Sequence, residues 1–228
     1  MGKESIFCQA LLTDQVHFRE PGLTHKASIY TESKGSGAGG VTSFMEMPNT
    51  IPNALTQELL EDKYRIGATT SLANYSFYMG TGNDNADEVL KTNDKRKEVC
   101  GVKIFMGSST GNMLVDNPNT LDKIFRESEL LIATHCEDET IIKRNKERLK
   151  LLNRGTGTGL ITRLIRDDEA CYESSLYAIQ IAKKIQYPAA YLHISTEKEL
   201  PLFTNMFPLK DKRITTEVCV HHHAFYQR

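Results

Sequence analysis

Apolar residues fall in short runs separated by longer polar stretches. The runs IFCQALL (6–12), GGVTSFMEM (39–47), LANYSFYM (72–79), VCGVKIFM (99–106), LLIATH (130–135), AAYLHIS (189–195) and ITTEVCV (214–220) read as seven strands. Between them lie helix-compatible segments. TQELLEDKYRIGAT (56–69) opens on Thr56, a candidate N-cap, and repeats apolar residues at helical spacing. DEACYESSLYAIQIAKKI (168–185) has the same spacing and ends in Lys183 and Lys184, cations suited to a helix C-terminus. STEKELPLF (195–203) begins with a Ser cap followed closely by Glu. Strand alternating with helix predicts βαβ units and a parallel sheet. Two stretches break the pattern. GSGAGG (35–40) should close the first helix but is glycine-heavy. Each interior glycine costs about 1 kcal/mol relative to alanine, so that helix is predicted to end early or fray. NRGTGTGLITR (153–163) reads as a loop.

Polar, chemically able residues gather where the apolar runs stop. TDQVHFREPG follows the first run. Its Pro21 and Gly22 suffice for a turn, so His17, Arg19 and Glu20 are surplus to turning. Asn49 follows the second run, Lys103 lies inside the fourth, His135 ends the fifth, and His193 stands near the end of the sixth. His221, His222 and His223 end the seventh and are followed by AFYQR, which makes them native sequence rather than a tag. The carboxyl ends of strands are the active-site face of a (β/α)8 barrel and the ligand edge of an open doubly wound sheet. The dinucleotide-binding form of the latter needs GxGxxG in its first turn, and HFREPGLTH does not supply it.

Each histidine alone reads as a surface or core residue. His17, His135 and His193 together, at the ends of three strands, point to a shared metal site, because imidazole is a common zinc ligand. Lys103 sits in an otherwise apolar strand. A snorkelling lysine is the bland reading, but a strand buried on both faces makes an unpaired ammonium expensive. Carboxylation of the amine by carbon dioxide is one solution, giving two oxygens able to bridge two cations. The planar fork of Arg19 suits a substrate carboxylate, and Asn49 either assists it or shapes the turn in PNTIPN.

The 228 residues carry a formal net charge of -1 and are 39% hydrophobic, enough for one barrel-sized core and without the basic footprint of a nucleic-acid binder. No apolar run approaches the roughly 20 residues of a membrane span, and MGKESIF has no apolar signal region. Five scattered cysteines with no CxxC predict a reducing, cytoplasmic setting.

QVHFREPG, FMEMPNT, GVKIFMGSSTGNM, ATHCED, LHIST and TEVCVHH, in this order and spacing, resemble the dihydroorotases, of the cyclic-amidohydrolase branch of the amidohydrolase superfamily, beside hydantoinases and allantoinases. The resemblance runs from about Thr13 onward. It implies one TIM-barrel-like, metal-dependent (β/α)8 hydrolase domain over residues 1–228, interconverting N-carbamoyl-L-aspartate and dihydroorotate in pyrimidine synthesis. By the same resemblance His17 binds the more buried of one or two Zn2+ ions, Lys103 is the carboxylated bridge, His135 and His193 hold the second metal, and Arg19 with Asn49 grips the substrate carboxylate.

The sequence departs from the family pattern in three places. Gln15 stands where the first histidine of DxHxH belongs, which weakens the first metal position. The family's catalytic aspartate follows an eighth strand, and its β-sandwich flanks the barrel. Neither is found between Met1 and Arg228, so the expectation is an incomplete barrel, poorly active alone. Two other readings stand beside a dihydroorotase. One is a hydantoinase- or allantoinase-type enzyme. The other is a non-catalytic, dihydroorotase-like subunit, homo-oligomeric or supporting a partner such as aspartate carbamoyltransferase.

Overall fold

The computed structural model describes residues 10–107, 111–151 and 159–224. Seven strands, β1 (Leu11–Val16), β2 (Val41–Glu46), β3 (Asn74–Gly80), β4 (Gly101–Phe105), β5 (Ile132–His135), β6 (Ala189–Tyr191) and β7 (Ile214–Thr216), form one sheet. Every neighbouring pair is parallel, and the spatial order follows the chain order. A doubly wound sheet reverses its order at a switch point, so this order decides for the barrel type. The sheet curls: the Tyr78 hydroxyl on β3 donates to the Asp14 carbonyl on β1 at 2.9 Å, and Glu217, just past β7, shares a side-chain hydrogen bond with Asp14.

Helices α1 (Ile29–Ala38), α2 (Gln57–Thr70), α3 (Ala86–Leu90), α4 (Pro118–Glu127), α5 (Glu139–Leu151), α6 (Gly159–Ile165), α7 (Asp168–Ile185) and α8 (Val220–Ala224) connect or follow the strands. The main core lies between strands and helices and includes Phe44, Phe77, Val102, Ile104, Ile132 and Tyr191. A smaller cluster of Met47, Tyr78, Ala133 and Leu192 fills the concave face. Strand residues alternate between the two faces. Val102 and Ile104 face the helices, which turns Lys103 inward. No described helix is long and apolar enough to cross a membrane.

Several boundaries differ from the sequence expectation. The first strand is Leu11–Val16 rather than 6–12, residues 6–9 lying outside the described part. Pairing with β2 extends it through Asp14 and Gln15, with a register slip between Thr13 and Val16. The sixth and seventh strands stop at Tyr191 and Thr216. His193 therefore sits in the following loop, and His221 to His223 lie in α8 instead of ending a strand.

Helix α1 does not end early: it runs through Gly35 and Gly37 to Ala38. Its first turn is anchored by a Ser28–Thr31 capping box, by the Glu20 carboxylate accepting from Ile29 N at 2.8 Å, and by burial of Ile29 and Ser33. Helices α2 and α7 occupy the predicted segments, with Thr56 and Asp167 accepting as N-caps. Residues 195–203 give instead a 3-10 turn, Glu197–Leu202, capped by Thr196, because Pro201 blocks α-helical continuation. Of the predicted loop 153–163, residues 153–158 lie outside the described part, and the stretch from Gly159 is helical.

Candidate functional site

The ends of β5 and β6 bring His135 and His193 together. His135 Nδ1 and His193 Nε2 are 3.0 Å apart, with the rings edge to face. On its other side His135 Nε2 meets Glu137 Oε2 at 2.8 Å, and Arg166 ion-pairs with the same oxygen. An ionised carboxylate can only accept, so Nε2 carries the His135 proton. Nδ1 then presents its lone pair to His193. Both rings are held neutral. Burial pulls His135 below its ordinary value, and burial, the repulsion that a protonated His135 would add and the Lys103 charge take His193 down to about 3. Neutral imidazole is the form that binds metals.

Lys103 is 1% exposed, and its Nζ has no hydrogen-bond partner among the described residues. It lies 4.6 Å from the Phe105 ring centroid, and β4–β5 register sets Lys103 beside Ala133 and Phe105 beside His135. Burial lowers its ammonium to about 7, against the opposing pull of Cys136 and Glu217. Its charge acts on His17, His135 and His193 alike, so the four residues share one electrostatic neighbourhood.

His17 stands across this neighbourhood. Its Nδ1 lies 2.8 Å from Asn49 Oδ1, and burial, then Arg19, takes it to about 4. Asn49 thus orients His17 through its amide oxygen. The loops carrying these residues pack closely: Ile51 N donates to Pro21 O at 3.1 Å, and a Cβ on Gly22 would lie 2.0 Å from Ile51 O. Gly22 also has φ +80°, so only glycine fits there without strain. Beneath the loop, Glu46 accepts from Phe18 N at 3.2 Å and ion-pairs with Lys63, which also donates to Met47 O at 2.8 Å. Both charged side chains are 1% exposed.

Sequence reasoning missed Glu137, Arg166, Glu46, Lys63 and the Asp14–Glu217 contact. Burial and Asp14 push Glu217 up to about 7. Glu137 had a faint signal, a carboxylate two residues after a histidine, but its brace comes from a residue 29 positions away. A cavity of about 460 Å³ adjoins His135 and His193 on the side of Arg166, and His17, Arg19, Asn49 and Lys103 do not line it. Among the described residues no three His, Cys, Asp or Glu side chains gather closely enough to hold a metal ion. Two converging imidazole nitrogens and a buried amine without a partner fit a cation once that amine carries a carboxylate. As an unmodified ammonium, Lys103 opposes one.

No family model matches the chain. It is 32% identical over 223 residues to the dihydroorotase of Methanosarcina acetivorans, covering 91% of this chain and 44% of that protein. It is 30% identical to the allantoinase of Deinococcus radiodurans, covering 94% and 48%. The fold matches the L-hydantoinase (dihydropyrimidinase) from Arthrobacter aurescens with a TM-score of 0.77 and 23% identity, over 85% of this chain and 43% of that one. A D-hydantoinase structure aligns with a TM-score of 0.78 and 16% identity. The chain spans about half the length of the curated relatives it matches.

Proposed function

We propose that this chain, a relative of the dihydroorotases that spans about half their length, supplies the metal-binding and carboxylate-gripping parts of a cyclic-amide hydrolase site. The observation that carries the reading is Lys103: a fully buried amine without a hydrogen-bond partner among the described residues, whose charge acts on three neutralised histidines. Much of such an amine is uncharged near neutral pH. Its nitrogen lone pair can attack the carbon of carbon dioxide, and loss of one N–H proton leaves a carbamate. Lys103 carbamate, His135 and His193 would hold one zinc, with His17 contributing to a second, weaker position beside Gln15. Zinc bound there would polarise the amide carbonyl and acidify a water.

The reaction adds the water oxygen to the carbonyl carbon of dihydroorotate, breaks the ring C–N bond and leaves the proton on nitrogen, giving N-carbamoyl-L-aspartate. Reversal closes the ring. Arg19 would pair with the substrate carboxylate. Asn49 accepts from His17 through Oδ1, which leaves its Nδ2 amide as the donor for the same carboxylate.

A non-catalytic dihydroorotase-like subunit is the second reading, favoured by Gln15 and by the lack of a preassembled three-donor cluster among the described residues. Metal content separates the two. After reconstitution with zinc and bicarbonate, the protein should retain zinc, show a carbamate signal with 13C-bicarbonate, and lose both in Lys103→Ala. A His135→Ala/His193→Ala double variant should lose the zinc. A protein that holds no zinc under these conditions supports the subunit reading.

A further inference from the structure

We infer that Glu137, braced by Arg166, is a positioning residue that fixes the His135 ring with Nδ1 turned toward His193. The inference rests on the proposed reading in which His135 and His193 are metal ligands.

The carboxylate of Glu137 is buried, and both of its bonds converge on one oxygen: Oε2 accepts from His135 Nε2–H at 2.8 Å and from the Arg166 guanidinium. A buried carboxylate needs such partners to offset its desolvation. Taking the proton-bearing nitrogen of His135 removes one of the ring's two tautomers and holds its plane. The other nitrogen is then bound to present a lone pair 3.0 Å from His193 Nε2.

The brace is itself held from several sides. Arg166 N donates to Thr162 O at 2.9 Å, and the buried Asn145 amide donates to Ile165 O and, at 2.8 Å, to Asp167 Oδ2. On the opposite side the loop after β4 lies flat against Glu137: a Cβ on Gly107 would come within 2.5 Å of Glu137 Cβ and 2.6 Å of its carbonyl oxygen. Glu137 is thus crowded by Gly107 at its Cβ and backbone, while its carboxylate pairs with an arginine whose backbone is held in place. A general surface ion pair has no such support and is worth little. Partners that orient a metal-binding histidine typically change metal affinity 10–100-fold.

The test is zinc affinity of the full chain, measured by chelator competition after reconstitution with bicarbonate, with circular dichroism confirming the fold. Glu137→Ala should bind zinc about 10–100-fold more weakly. Glu137→Gln should stay close to the parent, because one amide oxygen can accept both bonds now made by Oε2. Arg166→Met should weaken binding in the same direction by less, and it carries the test if Glu137→Ala does not fold. Folded Glu137→Ala or Arg166→Met protein with parental affinity would overturn the inference. If the parent binds no zinc, the metal reading falls and nitrogen-15 histidine spectra decide the positioning alone. A slowly exchanging His135 Nε2–H, kept in Glu137→Gln and lost in Glu137→Ala, upholds it. A freely exchanging proton in the parent refutes it.

Discussion

Two buried lysines meet opposite fates. Lys63 has a carboxylate, Glu46, and a carbonyl to bond. Removing one partner of a buried pair leaves an uncompensated charge, a loss of about 3–5 kcal/mol. Lys63→Met should lose stability on that scale in urea titrations, and Lys63→Met/Glu46→Leu should recover much of it. A single variant as stable as the parent would show that the pair does not anchor the loop after β1. Lys103 has no such partner, so its stability effect runs through protonation. Its amine is lowered to about 7 from 10.5, so between those values the unfolded chain binds a proton that the folded chain does not. Stability therefore rises with pH across that window and is lower below it. In metal-free, bicarbonate-free protein, the stability gap between parent and Lys103→Met should shift in the parent's favour by about 2–3 kcal/mol from pH 7 to 9, since one pKa unit is worth about 1.4 kcal/mol. A flat difference would mean that the amine is solvated or paired.

Helix α1 illustrates how an element can override its own composition. Its glycines disfavour helix, yet its first turn is tied down by Ser28, Thr31 and Glu20, and Ser33 Oγ accepts from Leu72 N at 3.0 Å. Those anchors carry the last turn along. A Cβ at Gly35 or Gly37 would meet nothing within 4 Å, and neither has a positive φ. Gly35→Ala and Gly37→Ala should each stabilise the protein by about 0.5–1 kcal/mol. The thermal midpoint should rise by about 2–4 °C per kcal/mol. Destabilisation by either would show that the helix end needs glycine flexibility.

Across the whole molecule, protection should follow the sheet. β4 is buried at all five positions, whereas β1 is an edge strand with Leu11 53% and Leu12 57% exposed. Amide hydrogen exchange should be slowest in β4 and β5 and much faster in β1 and β7, which pair with a neighbouring strand on one side only. Uniform protection would mean that the edges are covered in solution. The sequence by itself determined the alternation of strands and helices, the N-cap at Thr56, the span of α7 and the exceptional place of Lys103, because hydrophobic period, caps and a lone charge in an apolar run are local signals. Only the tertiary structure decided which residues meet. Pairing of β5 with β6 brought His135 to the loop that carries His193, a loop 29 residues away supplied Arg166 to Glu137, and packing of two loops turned Asn49 toward His17. Such pairings depend on the curl of the sheet and the packing of loops onto it, and chain-local chemistry does not encode them in any short stretch.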